Sequence, residues 1–216
     1  MYGHQQIMTR LGITNKDWGV CGFTSSFYAM YDLNPATRPQ IITATAAYRV
    51  LAEIKTYLMM LKAEGSDLLN KITEFTRTFG EDFEDFTVDT YIAEINKAAA
   101  MGKSRFQILS DPKFSIALPP DAVADYIRRI WDWKTKITEF AVGTGGGDGI
   151  IGVSSSEYDE ATGVKKLYHG LEHYMYRSGG KVYSWGKEFS SVQNASRGGA
   201  GGVLWRVCYE IAITRP

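Results

Sequence analysis

Along the first 140 residues the apolar positions recur at three- and four-residue intervals, the spacing of helices packed on one face. In CGFTSSFYAMYDL they fall at Phe23, Phe27, Met30 and Tyr31, and NPATRP then breaks the pattern. A longer stripe follows over 40–65, formed by Ile42, Ala46, Val50, Ile54, Leu58 and Leu61, with Gly65 as its stop. SDLLNKITEFTRTFG predicts a helix ending at Gly80, and TVDTYIAEINKAAAMG one ending at Gly102. PPDAVADYIRRIWDWKTKITEF opens on Pro-Pro-Asp, a good helix entry, and reads as helical to Phe140. The texture then changes. GIIGVSSS, KKLYHGLEHYMYR, KVYSWGKEF and GGVLWRVCYEIAI are rich in β-branched and aromatic residues and predict strands. RSGGK between two of them predicts a hairpin turn, while TGGGDG and NASRGGAGG read as glycine-rich loops, the first a mobile one lining the cleft. The pattern predicts an α+β fold in a single domain over 1–216, with a helical part at 36–140 and an antiparallel sheet over 141–216.

Composition adds bounds. The chain has 216 residues, 44% of them hydrophobic and 22% charged, enough for one core without covalent staples. Its 24 basic and 24 acidic side chains cancel, so there is no global pull toward nucleic acid or anionic lipid, and no nucleic-acid partner is expected. Two cysteines make no disulfide framework, and without a CxxC or Cys/His cluster no metal and no cofactor are expected. MYGHQQIMTRLG lacks the apolar core of a signal peptide, and no run reaches the ~18 apolar residues of a membrane span, so a soluble chain is expected.

Candidate chemistry centres on NKDWGVCGFTSS. Cys21 begins the first predicted helix, where unpaired N–H groups and the helix dipole favour a thiolate, the nucleophilic form. Gly19 and Gly22 flank it and allow close approach of a substrate to the backbone. Trp18 is placed to wall a cleft, and the Asn15 side-chain amide can donate to an oxyanion. Cys208, within VLWRVCYEIAI, has the surroundings of an inert buried cysteine. A thiol nucleophile needs a base. Of three histidines, His4 lies close to the chain start, and His169 and His173 share LYHGLEHYMYR. On one strand the latter two share a face about 13 Å apart, so only one can serve Cys21. A four-residue loop at 177–180 would set His173 opposite Ser184 and His169 opposite Glu188, and a one-residue slip would substitute Trp185 and Phe189. His173 with Ser184 as orienting residue is favoured, and His169 with Glu188 is the alternative.

These residues resemble a family. CGFTSSFYA looks like the Cys-Gly start of the nucleophile helix of papain-like thiol peptidases, Asn15 stands at the spacing of their oxyanion glutamine, and YSWG at 183–186 is similar to their Asn-Ser-Trp-Gly, with Tyr183 in place of the asparagine. The resemblance covers about sixty residues in two pieces, and the helical middle matches nothing in that family. It implies a divergent papain-like fold, of the bacterial effector or toxin kind, cytoplasmic or delivered by a specialised secretion system. The implied activity is thiol-dependent hydrolysis of an amide bond, as in a peptidase, amidase, deamidase or acyl transferase. Trp18, Gly19, Gly22 and Trp185 would then bind a protein or peptide substrate, and an inhibitory or immunity protein would be a further partner. The competing expectation is a non-catalytic protein-binding α+β module in which Cys21 is simply buried. Elsewhere, GEDFEDF reads as a solvated helix entry, RRIWDW as packing, and NAS at 194–196 as a sequon without a secretory context.

Overall fold

A computed structural model describes residues 19–34, 46–101, 114–140 and 145–216. Among them are six α-helices and one antiparallel six-stranded sheet, so the α+β class holds. Helix α1 (Cys21–Leu33) is buried almost all round, from Gly22 to Tyr31. Its sequence permits this because its apolar residues are not confined to one stripe and its hydroxyls bond back to the helix. Ser26 Oγ donates to the Gly22 carbonyl at 2.8 Å and Thr24 Oγ1 to that of Cys21 at 3.3 Å. On α1 packs α5 (Pro120–Trp131), and α2 (Ala46–Ala63), packed against α3 (Leu68–Arg77), α4 (Val88–Met101) and α5, completes the helical layer of the same core. Gly22 lets α5 close on α1, since a Cβ there would lie 3.0 Å from Val123 Cγ2.

The strands are β1 (Lys134–Glu139), β2 (Gly149–Ser154), β3 (His173–Ser178), β4 (Lys181–Ser184), β5 (Lys187–Phe189) and β6 (Arg206–Thr214), in the order β1-β6-β2-β3-β4-β5. One face carries Ile150, Tyr174, Tyr176, Tyr183, Tyr209 and Ile211 into the main core with the helices. The other carries Ile151, Val153, Met175, Val182 and Val207 into a smaller core, with Ala195 of α6 (Val192–Gly199) packed on it. β2 is therefore buried on both faces, which accounts for its unbroken apolar run.

Several predicted boundaries move. The helix expected to continue to Phe140 ends at Trp131, where Asp132 turns left-handed at φ 55°, and Lys134–Glu139 is a sheet-edge strand instead. Its alternating, β-branched KTKITE pairs with β6, which the helical repeat upstream obscured. The helical part thus stops short of 140, and the sheet begins before 141. The strand expected through LYHG is a 3-10 turn, Leu167–Gly170, with Tyr168 and His169 at φ 50° and 54°. KVYSWGKEF is two strands joined at Trp185 and Gly186, whose φ values are 46° and 72°. NASRGGAGG is not all loop: it contains most of α6, which Ser191 caps by accepting the Asn194 N–H at 3.1 Å. GEDFEDF forms a 3-10 turn, Glu81–Phe83, with Phe83 buried. RSGGK does form a hairpin, but through a two-residue turn at Gly179 and Gly180, and the register is Tyr176 opposite Tyr183 and Arg177 opposite Val182.

Candidate active site

Cys21 and His173, 152 positions apart in sequence, line one cavity of about 500 Å³. α1 supplies Cys21 as its first residue, and β3 supplies His173 as its first residue. Their elements pack on each other in the core, and Tyr174 of β3 ties the strand to the segment before α5 by donating its hydroxyl to the Leu118 carbonyl at 3.0 Å. No hydrogen bond joins Cys21 to His173 among the described residues. Contacts of this kind commonly tighten only when substrate binds.

Desolvation dominates the electrostatics of the two groups. Burial pushes the Cys21 thiol up to about 11, although the backbone N–H groups of Tyr174, Gly22 and Cys21 itself all favour its thiolate. The helix start was expected to yield a ready thiolate; desolvation outweighs it. His173 is 7% exposed, and burial pushes its imidazole down to about 3. Both groups are therefore neutral at rest.

His173 is held on several sides. Its Nε2 shares a 2.7 Å hydrogen bond with Ser184 Oγ, leaving Nδ1 as the second nitrogen for proton transfer. The Trp185 ring stacks on it at 4.5 Å with planes 3° apart, and the Trp205 ring lies nearly parallel at 5.6 Å. Trp185 reaches that position through its left-handed turn, which Tyr28 of α1 secures by accepting the Gly186 N–H at 2.9 Å. Gly199 of α6 leaves room for the indole, since a Cβ there would lie 2.4 Å from it. Trp205 donates its Nε1–H to Glu172 at 3.1 Å, and Ser155 donates to the other Glu172 oxygen.

The expected residues divide accordingly. Cys21, Gly19, His173 and Trp185 line the cavity, and Ser184 bonds His173 even though the β3–β4 register differs from that expected. Gly22 is buried beneath Leu118 and Val123, a packing position away from the cavity wall. His169 does not share a strand with His173 and does not line the cavity. It lies beside Tyr209, with Nε2 3.5 Å from Glu139 and Nδ1 3.2 Å from Glu157, the latter an approach without hydrogen-bond geometry. Glu188 pairs with Lys181 on the outer strands and not with His169. Asn15 and Trp18 lie outside the described residues. Gly145–Asp148, the described residues of TGGGDG that precede β2, do not line the cavity; Arg177 donates to the Gly145 carbonyl at 2.8 Å and pairs with Glu210 at 3.1 Å, and Glu210 accepts the Gly147 N–H at 2.9 Å. Cys208 is buried with its thiol pushed up to about 12 and directed at the Gly152 carbonyl, 3.4 Å away. Sequence reasoning missed Glu172, Trp205, Ser115 and the wall of Phe75, Phe79 and Phe83. The four-residue spacing of Phe75 and Phe79 was visible, but not that both line a cavity with Cys21.

No family model, curated protein or solved structure matches the chain. Among the described residues no helix is long and apolar enough to cross a membrane.

Proposed function

We propose that the chain is a thiol-dependent hydrolase of amide bonds in proteins or peptides, with Cys21 as nucleophile, His173 as general base and Ser184 as the residue that orients it. The observation that carries this is the opening of Cys21, at a helix start, and of Ser184-bonded His173, at a strand start, onto one cavity. The Cys21 sulfur attacks the carbonyl carbon while its proton passes to His173 Nδ1. The Cys21 N–H donates to the developing oxyanion. His173 returns the proton to the departing amine, leaving a thioester, and water then releases the acid and restores the thiol. Ser184 accepts from Nε2–H and so stabilises the imidazolium during attack. The resemblance to papain-like peptidases supports the same assignment.

Peptide pools incubated with the protein and read by mass spectrometry for new carboxyl termini test it. Cys21→Ala and His173→Ala should each remove turnover by at least about a hundredfold, and Ser184→Ala by about tenfold, with unchanged far-UV circular dichroism. Turnover that survives Cys21→Ala would exclude the assignment. A second reading, a protein-binding module with a structural thiol, is favoured by the burial that raises Cys21. It is the conclusion if folded wild type cleaves nothing.

A further inference from the structure

Three strand ends meet beside His173, and one carboxylate joins them. Glu172 stands immediately before β3, Ser155 immediately after β2 and Trp205 immediately before β6, and β2 lies between the other two strands in the sheet. One Glu172 oxygen accepts the Ser155 N–H at 3.3 Å and the Ser155 hydroxyl. The other accepts the Trp205 Nε1–H at 3.1 Å. No basic side chain pairs with Glu172 among the described residues, so these three donors answer its charge. The anchoring end is firm. Ser154 pairs with Arg206 across β2 and β6, and the Glu172 N–H bonds to the Val153 carbonyl at 2.9 Å.

The Trp205 end has no regular structure to hold it. Residues 200–205, between α6 and β6, form neither helix nor strand, and Gly201 and Gly202 turn left-handed at φ 69° and 85°. Leu204 in this segment is 72% exposed, whereas Trp205 is 5% exposed. Gln193 of α6 donates to the Trp205 carbonyl, which fixes the backbone but not the ring. The ring packs in the smaller core, and apolar packing is non-directional; its directional contact is the Nε1–H bond to Glu172. So held, it lies 5.6 Å from the His173 ring and 5.7 Å from that of Trp185, with planes 20° and 23° apart.

We propose that Glu172 is a positioning residue: anchored on Ser155, its carboxylate holds the Trp205 indole against His173 and thereby fixes the imidazole within the cavity. That the imidazole so fixed acts as a base rests on the hydrolase proposed above; the hold on Trp205 does not. Without Trp205 in place the imidazole would keep the Trp185 stack and the Ser184 bond and lose one of the two rings that confine it. Its Nδ1 would then meet the Cys21 proton in the productive geometry for a smaller share of the time.

The imidazole can be observed apart from any chemistry. The full chain, with its three histidines, is labelled with ring-13C histidine, and the His173 signal is identified as the one lost in His173→Gln. A nearby indole displaces that signal through its ring current. Glu172→Leu should therefore move it, and Glu172→Gln, which keeps an acceptor for the indole, should leave it at the wild-type position. In a Trp205→Phe background, which has a ring but no N–H, adding Glu172→Leu should move it no further. If Glu172→Leu does not fold, Trp205→Phe alone decides, and an unmoved signal overturns the proposal. So does a signal unmoved by Glu172→Leu, or one that Glu172→Leu moves equally in the Trp205→Phe background. Where the chain cleaves peptides, Glu172→Leu should lower kcat about tenfold with KM changed less than about twofold, and Glu172→Gln should restore kcat. A loss confined to KM would mean that Glu172 meets substrate directly, and would also overturn the proposal. A signal that moves as expected in a chain that cleaves nothing would remove the hydrolase and leave the hold on Trp205 in place. Turnover with an unmoved signal would do the reverse.

Discussion

Cys21 and His173 are neutral at rest for one shared reason: burial withholds from each the water that would solvate its charge. Proton transfer between them then belongs to the attack on substrate and not to a standing ion pair. The same burial makes stability depend on pH. Folding depresses the His173 pKa from 6.5 to about 3, so below 6.5 the unfolded chain takes up a proton that the folded chain refuses. Stability is therefore full above pH 6.5 and falls as the pH drops toward 3. Folding raises the Cys21 pKa from 9.0 to about 11, which loses stability in the opposite direction, as pH rises through that range. Urea unfolding at pH 6.5 and 4.5 should show wild type losing about 2 kcal/mol more than His173→Gln on acidification. An equal loss in both would mean that His173 titrates normally in the folded chain.

At the level of elements, a short turn and a short helix determine how the imidazole is held. The Trp185–Gly186 turn lays an indole on His173, and α6 leaves just enough room behind that indole at Gly199. Gly199→Ala should therefore cost about 1–3 kcal/mol of stability through overpacking and tilt Trp185 off the imidazole. Thermal unfolding reads the first effect and near-UV circular dichroism the second. A variant with wild-type stability and an unchanged aromatic spectrum would mean that Trp185 is not confined by α6. Sequence pattern located this turn only in part. It marked YSWG as chemically interesting but merged β4 and β5, because a tryptophan in left-handed geometry carries no glycine-like signal of its own.

Across the whole molecule, a helical layer and a sheet share one core, and polar groups buried between helices keep that layer in register. Asp125 of α5 is the clearest of these. It accepts from Tyr57 of α2 at 3.1 Å and from Arg129 Nε at 2.7 Å, and Arg129 continues to Glu64 at 2.7 Å. Asp125→Ala would remove the acceptor that Tyr57 and Arg129 share, leaving Tyr57 with the Ala122 carbonyl and Arg129 with Glu64, and should cost about 2 kcal/mol in urea unfolding. Turnover per folded molecule should stay unchanged, since none of these groups lines the cavity. A loss of turnover in the folded fraction would show that α5 also sets the geometry of the site.

The sequence by itself determined the α+β class, the start of α1 at Cys21, the burial of Cys208 within a strand, and the hairpin at RSGGK. Each rests on a local cause: helical periodicity, glycine geometry, or the apolar run around a strand cysteine. Only the tertiary structure decided that His173 and not His169 shares a cavity with Cys21. That choice turns on where β3 begins, and left-handed residues at 168 and 169 set the beginning. It also decided that Ser184 reaches His173 in a register the hairpin sequence did not specify, that 134–139 joins the sheet, and that Phe75, Phe79 and Phe83 line the cavity that Cys21 lines. These outcomes depend on contacts between segments far apart in the chain, whose partners a local pattern does not encode.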